Sequence, residues 1–186
     1  MEISLCRSFA FALVTLSLCL TTHADAGSPG LVDFGKFTPP GKGNEFVEVH
    51  VKSNLLIFAA QLVEKEQPDA AKLLRNVQLV QVYVVGLTEE NREEMLKRIQ
   101  KIRQDLDGRG WERNVNVQGQ DGEDVGVYTQ TRGGGETLAG VAITVVDSKH
   151  VVLVNVVGDI RPEQIAALGE SLNINPLKEI GVVGKK

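Results

Sequence analysis

Beyond residue 26 the chain carries two histidines, His50 and His150, four serines and no cysteine. That inventory limits the chemistry. A zinc site needs imidazole or thiolate ligands at short spacing, and neither a His-x-x-x-His nor a His-Glu-x-x-His pattern occurs. His50 falls on the polar alternate of a strand and His150 in a hairpin turn, both surface positions. Asp121, Glu123 and Asp124 form an acidic turn too short for a twelve-residue calcium loop. Glu123 and Asp124, adjacent on a strand, point to opposite faces, which is poor geometry for two carboxylates sharing one substrate bond. Ser28, Ser53, Ser148 and Ser171 lie outside any Gly-x-Ser-x-Gly elbow. A triad can assemble from distant positions, so a hydrolase with a dispersed site stays as the third-ranked reading. It requires His50 or His150 in a cleft with a hydroxyl and a carboxylate in reach. Arg132 with Gly133-Gly134-Gly135 matches no phosphate-loop motif and reads as a flexible hairpin tip. No cofactor motif is present, and the balance leans away from an enzyme.

Two groups of side chains suit binding instead. Trp111 follows Gly110 at a helix-to-strand junction. Tyr128 and Asn155 sit in apolar strands, and the Asn155 amide needs hydrogen-bond partners if both strand faces are buried. Trp111, Tyr128 and Asn155 form a candidate ligand pocket, with a structural role as the plainer expectation for Trp111 and Asn155. Asn114, Asn116 and Gln118 alternate with Val115 and Val117, which makes them a candidate docking face. Arg92, Lys97, Arg98, Lys101, Arg103, Arg109 and Arg113 interleave with acidic residues and read as a solvated helix face. The net charge of −4 argues against nucleic acid as a partner.

The elements that position these residues follow from periodicity. Phe46 to Val51 alternates as a strand with Val47, Val49 and Val51 on its core side. Leu55, Leu56, Ala59, Leu62, Val63 and Glu66 are spaced as one helical face. Pro68 opens a second short helix. Val77 to Val85 is a strand with two apolar faces, as a central strand has. This strand–helix–strand order is compatible with a parallel pair. Thr88 caps a helix with Glu89 and Glu90 in its first turn. Met95, Ile99, Ile102 and Leu106 form its apolar stripe, and Glu93–Lys97 and Glu94–Arg98 are i,i+4 pairs. Four short strands at hairpin spacing follow, around Val115–Val117, Val125–Tyr128, Leu138–Val146 and Val151–Val157. Pro162 opens a last helix with Ile165, Leu168 and Leu172. The fold class is therefore α+β: one mostly antiparallel sheet, with a strand–helix–strand unit, a four-strand meander, and helices on one face. Asn114, Asn116, Gln118, Gln130 and Thr144 would line the other, exposed face.

The N-terminus reads as a signal peptide. Arg7 precedes the apolar run Phe9 to Leu20, and Ala24-Asp25-Ala26 fits cleavage after Ala26. The run is too short for a comfortable membrane span. Leu16-Ser17-Leu18-Cys19 loosely resembles a lipoprotein site, but Leu18 stands where a small residue belongs. The mature chain is thus exported, periplasmic or extracellular, without a transmembrane span. It keeps 160 of 186 residues. Loss of Glu2, Arg7 and Asp25 leaves a net charge of −3. Cys6 and Cys19 leave with the signal, so no disulfide holds the domain. Residues 27–43, rich in Gly and Pro, read as a flexible linker. Residues 44–172 form the single domain, and 173–186 a loosely ordered tail.

A family resemblance rests on Leu73-Leu74 before the strand Val77 to Val84, on Gly110-Trp111-Glu112, Glu123-Asp124, Val127-Tyr128 and Leu138 to Val146, and above all on Val151 to Ile160, ending Asn155-Val156-Val157-Gly158-Asp159-Ile160. In these blocks the chain resembles the bacterial domain of unknown function 4252 family, over residues 46–172. The resemblance implies a small exported protein and carries over no catalytic or binding residue. The functional expectation is a non-enzymatic module that contacts an envelope protein, with a small-ligand binding domain as the alternative.

Overall fold

The structure, a computed structural model, describes residues 28–39, 41, 44–119, 122–161 and 164. The expected signal segment with Cys19, Asp121, the helix expected from Pro162 and the tail from Asn173 lie outside the described residues. In chain order the elements are β1 (Phe46–Lys52), α1 (Ser53–Val63), α2 (Pro68–Asn76), β2 (Val77–Gly86), α3 (Arg92–Gly108), β3 (Glu112–Gln118), β4 (Asp124–Thr131), β5 (Leu138–Val146) and β6 (His150–Ile160). The six strands make one open sheet in the order β1-β2-β6-β5-β4-β3. Every neighbouring pair is antiparallel. This is an α+β fold, and β3 to β6 form the expected meander.

The parallel pairing considered for the first two strands does not occur: β1 and β2 are antiparallel neighbours, with Val49 opposite Val82. The reason lies in α1 and α2. Pro68 starts α2 after a short break, and the two helices fold back as a hairpin, held by Arg75 and Glu64 at 2.8 Å. A hairpin returns the chain to the end of the sheet it left, so the next strand must run antiparallel. A single crossing helix would have carried it to the far end.

Among the described residues the helix that does cross is α3. At about 1.5 Å per residue its 17 residues span roughly 25 Å. That covers the four strand spacings, about 19 Å, between β2 and the far edge strand β3. Its stripe Met95, Ile99, Ile102 and Leu106 is buried as expected. These residues pack with Tyr83, Val85, Tyr128, Ala142, Val146, Val151 and Leu153 on one face of the sheet.

Helices on one face only is corrected. Leu56 of α1 and Leu73 of α2 belong to a second apolar cluster with Val125, Val127, Val141, Ile143, Val154 and Val156, the alternate residues of β4, β5 and β6. Both faces of the central strands carry branched apolar residues, so both need cover. The exposed polar face goes with this correction. Thr144 is fully buried under α3, and Gln130 accepts a hydrogen bond from the Gly30 N–H at 2.7 Å.

Two further expectations change. Val47 and Val49 on β1 are 37% exposed rather than core, because among the described residues β1 is an edge strand. In α1 the buried residues are Leu56 and Ala60, whereas Leu55, Phe58 and Leu62 are 53%, 55% and 68% exposed. The exposed side is the one that carries Asn54 and Gln61, seven residues apart, and the apolar Leu55, Phe58 and Leu62 share it.

Candidate functional site

The Gly- and Pro-rich segment before β1 was expected as a flexible linker. Over residues 28–38 it lies instead along the α3 face of the sheet, with Val32 and Phe34 buried. Asn155 is what holds it. Its side chain is completely buried. Its Oδ1 accepts the Val32 N–H at 3.0 Å, and its Nδ2 donates to the Gly30 carbonyl at 2.9 Å and to the Val141 carbonyl at 3.1 Å. Gly140 gives the room: a Cβ there would stand 2.4 Å from the Gly30 carbonyl oxygen. The candidate pocket residue Asn155 is thus a structural anchor, the plainer of its two expected roles.

Trp111 and Tyr128 occupy the same buried layer. Gly110 takes φ +77° after α3, and the Trp111 N–H donates to the Leu106 carbonyl at 3.2 Å. That brings the indole back beneath the helix end. The space beside it, lined by Leu31, Val32, Ile102, Leu106 and Arg109 among others, is about 20 Å³, the size of one water. Burial pushes the Tyr128 hydroxyl pKa up, and the guanidiniums of Arg113 and Arg103 pull it back in part. Of the sequence-derived trio, Trp111 and Tyr128 share one buried cluster and Asn155 is fully buried, and Trp111 borders the small space.

Next to Tyr128 lies a polar pair that the sequence reading placed in solvent. Arg103 reaches from α3 to the sheet. Its Nη1 donates to Asp124 Oδ2 at 2.7 Å and its Nε to Thr144 Oγ1 at 3.0 Å. Gly126 leaves space for it, since a Cβ would meet both Thr144 Oγ1 and the Tyr128 ring at 2.9 Å. Other members of the basic stretch are also spent within the fold. Lys97 pairs with Glu93 at 2.6 Å as expected. Arg98 does not turn to Glu94 but donates to the carbonyls of Phe34 and Lys36, at 2.8 and 2.7 Å. Its guanidinium lies 3.7 Å from the Phe37 ring centroid. Arg113 pairs with Asp107 at 2.9 Å.

The two histidines lie apart from each other, His50 on edge strand β1 against Tyr83 and His150 at the start of β6. His50 Nε2 is 2.7 Å from the Tyr83 hydroxyl and 3.6 Å from Glu48 Oε1. A histidine, a hydroxyl and a carboxylate therefore do meet, as a dispersed hydrolase site would need. The hydroxyl is a phenol whose pKa is pushed up by burial first and then by the Glu48 carboxylate, which makes it a poor nucleophile. His150 lies 3.2 Å from Glu45 and 3.6 Å from Asp147, at the β5–β6 turn. There the Asp147 carboxylate accepts the N–H groups of Lys149 and His150, both at 2.6 Å. Among the described residues no group of three or more His, Cys, Asp or Glu side chains is placed to hold a metal ion.

A larger groove was not foreseen. It encloses about 320 Å³ between the N-terminal segment and the start of α3, with Lys36, Thr38, Asn44, Glu90, Glu94 and Arg98 among its walls. Its floor is set by the helix start. The Thr88 N–H donates to Asn91 Oδ1 at 2.8 Å, and the Asn91 N–H to Thr88 Oγ1 at 3.2 Å. This reciprocal cap uses the expected Thr88, although α3 proper begins at Arg92. The groove joins segments some fifty residues apart, so no local pattern announces it.

The polar edge strand is described in full. Asn114, Asn116 and Gln118 are exposed on β3. A register shift between Arg113 and Val115 breaks their row. Asn116 and Gln118 stand opposite Gly126 and Asp124, on the α3 face. Asn114 accepts a hydrogen bond from Thr129 Oγ1 at 2.7 Å, on the Val127 side.

An open antiparallel sheet, crossed by one helix on one face and flanked by a helical hairpin on the other, defines the class: a small α+β sheet domain. Its distinctive surfaces are the groove beside the start of α3 and the two edges of the sheet. Residues 41–168 match the Domain of unknown function DUF4252 family, and the chain belongs to it. Neither the curated proteins nor the solved structures show a match to the chain. No helix among the described residues is long and apolar enough to cross a membrane.

Proposed function

We propose that the chain is an exported, non-enzymatic module, cleaved after Ala26, that binds another protein of the cell envelope. One observation carries this reading: α1 presents Leu55, Phe58 and Leu62 to solvent on one side, more than half exposed each. Their i, i+3, i+7 spacing is that of a helix seated in an apolar groove. A monomeric protein rarely leaves adjacent large apolar side chains uncovered. The partner is therefore an envelope protein with an apolar groove about one helix wide. The exposed polar residues Asn114, Asn116 and Gln118 are a second place for contact, divided between the two faces of β3.

The test is a photoreactive amino acid placed at Phe58 or at Leu62 and irradiated in native cells. A covalent adduct of one defined mass at both positions, absent from the exposed Glu136 position, is expected. No adduct, or an identical adduct ladder at Glu136, overturns the reading. The intact mass of the exported protein reads the cleavage site in the same sample.

The alternative, a small-ligand binding domain, is favoured by the 320 Å³ groove, which lies within the range of ligand sites. Its walls pair Lys36 and Arg98 with Glu90 and Glu94, which suits a zwitterionic small molecule. A ligand at 100 times its Kd stabilises by about 2.7 kcal/mol. A library of such compounds that leaves Tm unchanged removes this alternative.

A further inference from the structure

The two edges of the open sheet are built differently. At one edge β3 is interrupted by a register shift between Arg113 and Val115 and carries mostly polar side chains, the usual protection of an open edge. At the other edge β1 pairs with β2 without a shift over all seven residues. It contains no proline and one terminal lysine, Lys52.

The ladder phase shows what β1 offers. The Gly86 N–H donates to the Glu45 carbonyl at 2.7 Å, and the Leu87 N–H to the Lys149 carbonyl at 2.6 Å. Even-numbered residues of β2 therefore bond toward β1, and odd-numbered ones toward β6. In the β1–β2 register, which sets Phe46 opposite Val85, residues 47, 49 and 51 of β1 bond inward. The N–H and C=O groups of Phe46, Glu48, His50 and Lys52 then point to the open edge.

The strand is also complementary to itself. Read from both ends, Phe-Val-Glu-Val-His-Val-Lys sets each residue against a suitable counterpart about its centre, Val49. With a two-fold axis through Val49, Val47 faces Val51 of the second copy, Val49 faces Val49, Glu48 faces His50, and Phe46 faces Lys52. The valine side meets valines, and the charged side meets opposite or neutral partners. Directly opposed pairs of these kinds stabilise a sheet, whereas like charges destabilise it. A two-fold axis centred on His50 pairs only five residues and sets His50 against itself. Pairing about Val49 uses all seven residues and forms about eight new backbone hydrogen bonds.

We propose that β1 is a self-association edge: two copies of this chain join antiparallel through β1, in register about Val49, into one continuous twelve-stranded sheet. The partner is a second copy because an isologous contact requires a self-complementary patch, and the sequence of β1 is one. The inference stands on β1 alone and does not depend on the α1 contact proposed above.

The test uses the purified full chain, with Cys6→Ser and Cys19→Ser wherever the signal segment is retained. Sedimentation equilibrium at tens of micromolar is expected to give twice the chain mass. Val49→Cys then oxidises rapidly to a covalent dimer, because self-opposed residues at a non-hydrogen-bonded pair stand about 4.5 Å apart, within disulfide reach. Val47→Cys mixed with Val51→Cys gives the crosslinked heterodimer. Val47→Cys alone, or Val117→Cys on the β3 edge, crosslinks at least tenfold more slowly. Glu48→Lys shifts the wild-type mass toward monomer, and adding His50→Glu restores the dimer. A monomeric mass at 100 µM overturns the proposal. So does equal crosslinking of Val117→Cys and Val49→Cys, or fastest crosslinking at any position other than 49. Val49 is part-exposed, so its cysteine variant is expected to fold; the wild-type mass decides independently if it does not.

Discussion

A single amide decides where the N-terminal segment goes. Asn155 satisfies one N–H and two carbonyls from two separate stretches of chain, residues 30–32 and Val141. Replacing it by Leu leaves those buried groups without a partner, at about 1–3 kcal/mol for the worst-placed of them. Asn155→Leu is therefore expected to lower urea stability by that order. It should also open residues 28–38 to limited proteolysis before the sheet unfolds. Asp147 gives a pH-dependent counterpart. Burial pushes its carboxyl up, but the N–H groups of Lys149 and His150, with the nearby His150 ring, outweigh this and hold it below its ordinary value. A depressed folded-state pKa contributes stability that is complete above the ordinary carboxylate pKa of about 3.9. That contribution is lost as pH falls through the lower folded value. The Tm of Asp147→Ala should thus fall below wild type at neutral pH, and the gap should close in strong acid. A gap that widens in acid contradicts the assignment. Asn155 was legible as a buried amide in an apolar strand, but its partners were not. They lie more than 120 residues away in the case of Gly30 and Val32.

At the scale of elements, α3 was the most legible part of the chain. Its stripe repeats at 4, 3 and 4, and a long charged helix has one apolar side to bury. Ile99→Ala is expected to cost about 2–5 kcal/mol, measured by chemical unfolding. Leu96→Ala, at a position 42% exposed, should stay within about 0.5 kcal/mol. Arg103 lies on the same helix and looks like its solvated neighbours in the sequence. Arg103→Met is expected to cost about 1.5–3 kcal/mol, because it strips Asp124 and Thr144 of their shared donor. The contrast with α1 is instructive. That helix has polar Asn54 and Gln61 on its solvent side, but Leu55, Phe58 and Leu62 stand there too, so a face drawn through its apolar residues includes Leu62, which turns out, beside Leu56, which turns inward. Only the sheet beneath it, and the hairpin with α2, make that choice.

For the whole molecule, the two sheet faces are closed by different parts of the chain. The α3 face is completed by residues 28–38, which pack Val32 and Phe34 against Tyr83, Trp111 and their neighbours. Removing residues 27–38 should therefore expose Trp111. As the chain contains one tryptophan, its emission should shift to longer wavelength while far-UV circular dichroism keeps its sheet signal. An unchanged emission maximum would mean that α3 shields the indole by itself. The open sheet leaves two edges, and the proposed joining of β1 edges belongs to this scale, since no residue of β1 can pair with its own copy inside one chain.

The sequence by itself determined the α+β class, the meander, the apolar stripe of α3 and membership of the family blocks. All of these are local periodicities or contiguous runs, set by the 3.6- and 2-residue repeats of side-chain direction. Tertiary structure alone decided the antiparallel β1–β2 pairing, the cover on both faces, the burial of Thr144, the pairing of Arg103 with Asp124, and the docking of the Gly-rich segment on Asn155. Each of these depends on which distant residue arrives opposite. Burial and hydrogen-bond satisfaction are properties of such pairs, and one strand or helix does not specify its neighbour.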